Sequence, residues 1–188
     1  MSGTPSEARP SRLDELPGEL MMWVLIVSEL LVFGAGLVAF MAVRLTDPEG
    51  FSAAQATLHR TGAGINTIVL VTSGFMAALA LRLAEEGRRR AMVRALLVGA
   101  AVLGSLFLWI KGIEYADKIA HGISTETHPF YTFYYLLTGF HAAHVVAGIV
   151  ILLLVAWRDA PRNIEAAAAF WHMVDLVWVL LFPVIYLL

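Results

Sequence analysis

Five long apolar stretches, separated by short charged connections, constrain the fold of this chain more than any other feature. They are Leu20–Val43, Thr61–Leu83, Ala91–Ile113, Tyr131–Trp157 and Ala166–Leu188. Each is long enough to cross the hydrocarbon core of a bilayer as a helix, which takes about 20 mostly apolar residues. The sequence therefore predicts an all-α fold, an integral membrane bundle of five transmembrane helices.

The remaining sequence leaves no room for a separate soluble domain. We predict a polar cytoplasmic tail over residues 1–19 and one membrane domain over residues 20–188. The first apolar stretch exceeds the short apolar region of a signal peptide, so we expect it to be retained. The chain has no cysteine, which excludes a disulfide, a thiolate metal site and a cysteine nucleophile. No basic run interleaved with aromatic residues indicates a nucleic acid partner.

The distribution of Lys and Arg predicts the orientation, because cytoplasmic loops retain positive charge. The amino-terminal tail, the second connection and the fourth connection together carry nine of the 13 basic residues. The first and third connections carry only Arg44, Arg60, Lys111 and Lys118. We therefore expect a multi-pass membrane protein with its amino terminus inside, in the cytoplasm, and its carboxyl terminus outside.

Glu29 is the only ionisable residue in the first apolar stretch, and it falls near the middle of that stretch. An ionised carboxylate there costs at least about 2.5 kcal/mol on insertion scales. We expect the carboxyl either to be protonated or to be hydrogen-bonded to another helix. Its role is then either proton handling and lipid contact, or a structural bond between helices.

Two further pairs of polar residues lie inside predicted helices. His141 and His144 are three residues apart in the fourth stretch, and His172 and Asp175 are three apart in the fifth, so each pair shares one face. A His–Asp or His–His contact between these two helices is the expected structural pairing. Glu114, at the outer end of the third stretch, is interpreted as a solvated charge at the membrane interface.

A redox centre is the competing interpretation of the histidines. Histidines on facing helices could ligate a b-type haem, as in a small electron-transfer protein, but only His172 is available as a partner for His141 or His144. A di-metal centre is disfavoured because no Glu is followed three residues later by His. No motif indicates independent catalysis, and the lack of an internal repeat disfavours a transporter.

Several strings of the sequence resemble subunit III of cytochrome c oxidases and related haem-copper enzymes. The strongest are FYTFYYLLTGFHAAHVVAGIVILL (residues 130–153) and EAAAAFWHMVDLVWVLLFPVIYLL (residues 165–188). Others are LIVSELLVFGAG around Glu29, INTIVLVTSG and KGIEY. The resemblance covers nearly the whole chain after Leu20, and the two histidine motifs together are specific.

The resemblance implies a non-catalytic accessory subunit that supports the assembly and stability of its enzyme, with proton uptake as a further role. The implied partner is the catalytic subunit of an oxidase or a nitric oxide reductase; no haem, copper or other metal is expected in this chain, and bound phospholipid is. The family marks out these positions, none of them as a redox-metal ligand: Glu29, Glu114, His141, His144, Glu165, His172 and Asp175.

Within the family, the five-helix length favours one branch. PGELMMWVLIVSE near the start and FYTFYYLLTG before the histidines are most similar to the NorE-type proteins associated with bacterial nitric oxide reductase. A short oxidase subunit III is the runner-up. With the orientation given above, the resemblance implies a protein of the bacterial cytoplasmic membrane whose carboxyl terminus lies in the periplasm. Full-length members have two further helices before these five and a lipid-filled cleft beside them, so that cleft is not expected in the same form here.

Overall fold

The computed structural model describes residues 20–158 and 161–188, and the predicted tail over residues 1–19 lies outside them. The described residues are mostly helical and contain no strand, which confirms the all-α prediction. The helices are α1 (Leu20–Arg44), α2 (Pro48–Ala56), α3 (Arg60–Glu85), α4 (Arg90–Ala120), α5 (Pro129–Arg158) and α6 (Pro161–Phe182), which a π-helical turn extends over Pro183–Leu187. Five of these segments are long and apolar enough to cross a membrane, and each overlaps one of the five predicted stretches.

Helices α3, α4, α5 and α6 form a ring in which each packs against the next, and α6 closes the ring on α3. Helix α1 packs outside the ring, against α5 and α6. Most of its large side chains are exposed, and of its residues only Phe33 and Phe40 are buried. The chain is therefore an integral membrane bundle with a four-helix centre and one peripheral span.

Trp171 of α6 fills the centre of the ring. The glycines Gly104 of α4 and Gly148 of α5 adjoin its indole ring, where a side chain on either glycine would collide with the ring. The indole N–H donates to Ser73 Oγ of α3 at 3.0 Å, and that hydroxyl donates to the Ala100 carbonyl of α4 at 2.7 Å. One side chain thus contacts all three other helices of the ring.

The short helix α2 was not predicted, although its sequence carries a start signal. Asp47 is the residue before the helix, its carboxylate accepts a hydrogen bond from the Gly50 N–H at 3.0 Å, and Pro48 opens the first turn. His128 lies 3.1 Å from the same carboxylate. The Gly50 hydrogen bond and the neighbouring His128 hold the pKa of Asp47 below its ordinary value.

Two side chains tie the end of α1 and helix α2 to the last turn of the chain. Gln55 Nε2 donates to the Ile185 carbonyl at 2.9 Å, and Arg44 donates to the Leu188 carbonyl. The connection between α4 and α5 lies at this same end, because His128 reaches Asp47. The arginine-rich connection between α3 and α4 therefore lies at the opposite end of the bundle.

This arrangement predicts the result of a topology experiment. A reporter enzyme fused at Leu188 should lie on the opposite side of the membrane from one inserted in the connection between α3 and α4. The side rich in Lys and Arg should be cytoplasmic. Alkaline phosphatase and fluorescent-protein fusions measure the two positions, and the same side for both would contradict the five-span topology.

Candidate functional site

A buried charged cluster lies in the half of the bundle nearest α2. Lys111 Nζ of α4 donates to Glu114 Oε2 at 3.0 Å and to the Tyr134 hydroxyl at 3.1 Å, and it also donates to the Tyr186 hydroxyl. Glu114 accepts from the Tyr134 hydroxyl at 2.8 Å and from the Tyr186 hydroxyl at 2.9 Å. The Lys111 side chain is 2% exposed and the Glu114 side chain 10%. The cluster therefore joins α4, α5 and the final turn.

Aromatic rings enclose the ammonium group of this cluster. Lys111 Nζ lies 4.6 Å from the ring centre of Tyr134, 5.0 Å from that of Tyr186 and 5.5 Å from that of Trp178. Ring faces attract a cation at these distances. The carboxylate, the hydroxyls and the rings together compensate for the loss of water around the charge.

Sequence reasoning was wrong about the outer end of α4. Glu114 was expected to be solvated, but it is enclosed, and Lys118 is also buried and donates to the Thr57 carbonyl at 2.6 Å. Helix α4 continues seven residues beyond the predicted end at Ile113. The spacing of Lys111 and Glu114, one turn apart, could have indicated an ion pair.

Glu29 of α1 makes its contact with α5. Its Oε2 lies 3.1 Å from His144 Nε2, and the two side chains are 25% and 15% exposed. The two atoms are within ion-pair distance, but their geometry is not that of a hydrogen bond, and Oε2 has no hydrogen-bond partner among the described residues. His144 Nδ1 lies 2.9 Å from the Phe140 carbonyl, to which only a protonated nitrogen can donate. His144 Nε2 is therefore the ring nitrogen that faces the Glu29 carboxyl group.

His141 points into the ring of helices and is fully buried. It stacks on Trp178, with ring centres 5.2 Å apart, and Phe107 meets it edge-on. Neither ring nitrogen has a hydrogen-bond partner among the described residues. His141 and His144 therefore face different surroundings, although they are only one turn apart.

The predicted pairing between the histidines of α5 and the polar residues of α6 is wrong in its partners. Asp175 Oδ2 lies 3.8 Å from His172 Nδ1 on its own helix, and Gly74 of α3 adjoins the carboxylate. His144 pairs instead with Glu29. A spacing of three residues places two side chains on the same face of a helix, but it does not determine which neighbouring helix packs against that face.

The remaining family position, Glu165, is exposed near the start of α6. A cavity of about 280 Å³ opens at the same end of the bundle, between the α3–α4 connection and the ends of α5 and α6. Its apolar walls include Val93, Leu97 and Val155, and its lining includes the cationic residues Arg88, Arg90 and Arg94. Among the described residues, no group of three or more His, Cys, Asp or Glu side chains could hold a metal ion.

Comparison with known proteins gives a consistent result over the whole membrane region. Residues 18–188 match the family described as cytochrome c oxidase subunit III. The cytochrome c oxidase subunit 3 of Corynebacterium diphtheriae is 31% identical over 98% of this chain and 96% of that protein. The subunit 3 of Thermostichus vulcanus is 30% identical over 90% of this chain and 86% of that protein.

A third relative is much longer. The heme-copper oxidase subunit I+III of Aeropyrum pernix is 30% identical over 88% of this chain, and the match spans 22% of that protein. The resemblance seen in the histidine motifs thus extends over all five spans. The chain belongs to the cytochrome c oxidase subunit III family.

Proposed function

We propose that the chain is a non-catalytic accessory subunit of a respiratory haem-copper enzyme, bound in the membrane to the catalytic subunit. The observation that carries the proposal is the family match over residues 18–188. The polar groups inside the spans support it. Lys111 is paired with Glu114, and Glu29 lies 3.1 Å from His144, so these polar side chains contact one another within this chain.

The names of the relatives favour an oxygen-reducing oxidase as the partner enzyme. The relatives from Corynebacterium diphtheriae and Thermostichus vulcanus are named as subunits of cytochrome c oxidase. The name of the Aeropyrum pernix protein joins subunits I and III, which supports direct contact between the catalytic subunit and this chain. The nitric oxide reductase suggested by the NorE-like strings stays a prediction.

We propose that the subunit holds no haem of its own, and the directions of its histidines support this. His141 is buried against Trp178 inside the ring, whereas the His172 side chain is 46% exposed on the membrane-facing side of α6. A bis-histidine haem needs two imidazoles that face each other across the iron. These two side chains face different surroundings.

Phospholipid binding is a further part of the proposal, and the cavity beside the α3–α4 connection supports it. Apolar walls suit acyl chains, and the arginines of its lining suit a lipid phosphate. The predicted cytoplasmic location of this end agrees with the negative charge of lipids in that leaflet. A proton role would rest on the Glu29–His144 pair, whose facing atoms lie 3.1 Å apart between α1 and α5.

Purification of the complex in mild detergent tests the proposed function. The tagged chain should carry with it, in equal amounts, a large subunit whose absorption spectrum is that of a haem-copper centre. Oxygen consumption and nitric oxide consumption by the purified complex then identify the partner enzyme. A haem band from the isolated chain that disappears on His172→Leu would contradict the accessory role.

Glu29 should react selectively with an apolar carbodiimide in membranes. Such a reagent attacks a protonated carboxyl that it can reach from the lipid, and the Glu29 side chain is 25% exposed whereas that of Glu114 is 10% exposed and accepts three hydrogen bonds from its neighbours. We expect labelling at Glu29 to exceed labelling at Glu114 about tenfold or more. Peptide mass spectrometry measures both positions.

The Glu29→Gln variant completes this test. It keeps the size and hydrogen bonding of the side chain, so assembly should be preserved while the partner enzyme's activity or its durability during turnover changes. An unreactive Glu29, together with an unchanged enzyme in the variant, would leave Glu29 as a purely structural contact between α1 and α5.

A further inference from the structure

His172 is unusual among the ionisable side chains of the spans. It lies eleven residues after the start of α6, about 16 Å along the helix and hence near mid-membrane. Its side chain is 46% exposed. The other ionisable side chains in the central parts of the described spans are at most 25% exposed: Glu29, Lys111, Glu114, His141, His144 and Asp175. A half-exposed imidazole at this depth needs a polar partner outside the bundle.

The carboxyl group next to His172 has one oxygen without a partner in the part of the chain that the structure describes. Asp175 is 9% exposed, and its Oδ1 has no hydrogen-bond partner among the described residues. Its Oδ2 lies 3.8 Å from His172 Nδ1, which is too far for a hydrogen bond. Gly74 of α3 adjoins the carboxyl group and offers no side chain to satisfy it. The two residues therefore have hydrogen-bonding capacity that residues 20–158 and 161–188 leave unused.

These two residues adjoin an exposed surface on the membrane-facing side of the bundle, which we call the His172 face. It consists of His172, Leu176 and Val179 of α6 together with Val71 of α3. The spacing of the α6 residues places them along one stripe of the helix, and Val71 lies one turn before Gly74. Leu176 is 47% exposed, Val179 44% and Val71 48%.

We propose that the His172 face binds a transmembrane helix of the catalytic subunit, and that this helix presents a hydroxyl or amide side chain to His172 and Asp175. The inference rests on the proposed function and assigns the contact surface that the proposed function requires. The apolar residues of the face provide close packing with the partner helix. The His–Asp pair fixes its depth and rotation, because a hydrogen bond in lipid forms only where both groups meet.

Other occupants fit the same face less well. Acyl chains of lipids offer no hydrogen-bond partner to an imidazole or a carboxyl group. A second copy of this chain, related by a two-fold axis, would bring the same surface against itself. Two Asp175 carboxyl groups would then approach each other with the same acceptor atoms unsatisfied. A helix of another protein that carries a complementary polar group avoids both the missing hydrogen-bond partner and the approach of two identical carboxyl groups.

Photo-crosslinking in the assembled complex locates the contact. A photoreactive amino acid such as p-benzoyl-phenylalanine replaces Leu176 or Val71 on the His172 face. The matched control replaces Val102, which is 61% exposed on α4, the helix across the ring from α6. We expect adducts with the large subunit from Leu176 and Val71 and none from Val102. Mass spectrometry of the adducts identifies the partner segment.

The polar part of the contact is tested by His172→Leu. Because a membrane hydrogen bond is of modest strength, we expect the large subunit to bind about 3- to 30-fold more weakly, as measured by titration in detergent. His172→Gln should restore most of the affinity because it retains a donor and an acceptor. His121→Leu is the control, since that histidine is 70% exposed in the connection after α4. The thermal midpoint of the isolated chain should be the same in all three variants.

The outcomes separate this inference from the proposed function. A large subunit that co-purifies but forms adducts only through Val102 would overturn the inference and leave the accessory role intact. Adducts from Leu176 only with lipid, or only with a second copy of this chain, would overturn it in favour of those occupants. Failure of any large haem-containing subunit to co-purify would reject the proposed function, and with it the inference.

Discussion

Replacing Trp171 with alanine should destabilise the bundle far more than replacing the exposed Trp157. The indole ring is fully buried between two glycines and donates a hydrogen bond to Ser73. Trp→Ala at such a site costs about 3–5 kcal/mol, because the cavity remains and packing contacts are lost. For a chain of this size, that free energy corresponds to a fall of roughly 6–20 °C in the thermal midpoint.

Thermal unfolding in detergent, followed by circular dichroism, measures the effect. The matched control is Trp157→Ala, since Trp157 is 82% exposed near the end of α5 and its loss should change stability by about 0.5 kcal/mol or less. Gly148→Leu should reproduce the defect from the opposite side, because its side chain would collide with the Trp171 ring. Equal midpoints for Trp171→Ala and Trp157→Ala would contradict the central position of Trp171.

Removing the positive charge of the buried cluster should be similarly severe. In Lys111→Met the Glu114 carboxyl group stays enclosed by Tyr134 and Tyr186 without its counter-charge. Breaking a buried ion pair in this way costs about 3–5 kcal/mol, whereas replacing both members is often neutral. The double variant Lys111→Met with Glu114→Gln should therefore recover at least half of the lost stability, since Gln still accepts from the tyrosine hydroxyls.

An exposed ion pair serves as the control for this series. Arg82 lies 3.2 Å from Glu86 at the end of α3, and the two side chains are 76% and 41% exposed. Arg82→Met should change the free energy of unfolding by about 1 kcal/mol at most. A double variant at Lys111 and Glu114 that is less stable than Lys111→Met alone would show that the cluster is not held by charge pairing. Equilibrium unfolding in a mixed detergent gives the free energies for all the variants.

The hydropathy of the sequence predicted the five spans because a membrane helix is specified by one local property, a long run of apolar residues. The same criterion placed the end of the third span at Ile113, since Glu114, Asp117 and Lys118 interrupt the run. In the structure α4 continues to Ala120. The helix can continue because its charged side chains have partners on other elements. The Tyr186 hydroxyl donates to Glu114, and the Thr57 carbonyl accepts from Lys118.

Partners of polar side chains were harder to predict than their positions. Helical spacing correctly placed His172 and Asp175 on one face, but that face meets Gly74 of α3 rather than α5. Glu29 was expected to be protonated or bonded to another helix, and it faces His144 of α5. Which helices become neighbours depends on the packing of the whole ring, and spacing within a single helix contains no information about that choice.

The anchoring of Arg44 and Gln55 to the final turn has a consequence for biosynthesis. Gln55 and its acceptor Ile185 are 130 residues apart in the chain, and Arg44 and Leu188 are 144 residues apart. These bonds cannot form until the ribosome has completed α6 and the translocon has released it. The docking of α1 and α2 is therefore completed only after α6 has been inserted. Early termination before residue 185 should leave Arg44 and Gln55 without their acceptors, so that α1 and α2 are held only by contacts such as Glu29–His144 and Asp47–His128. The α3–α4 hairpin, whose contacts are local, should already be packed.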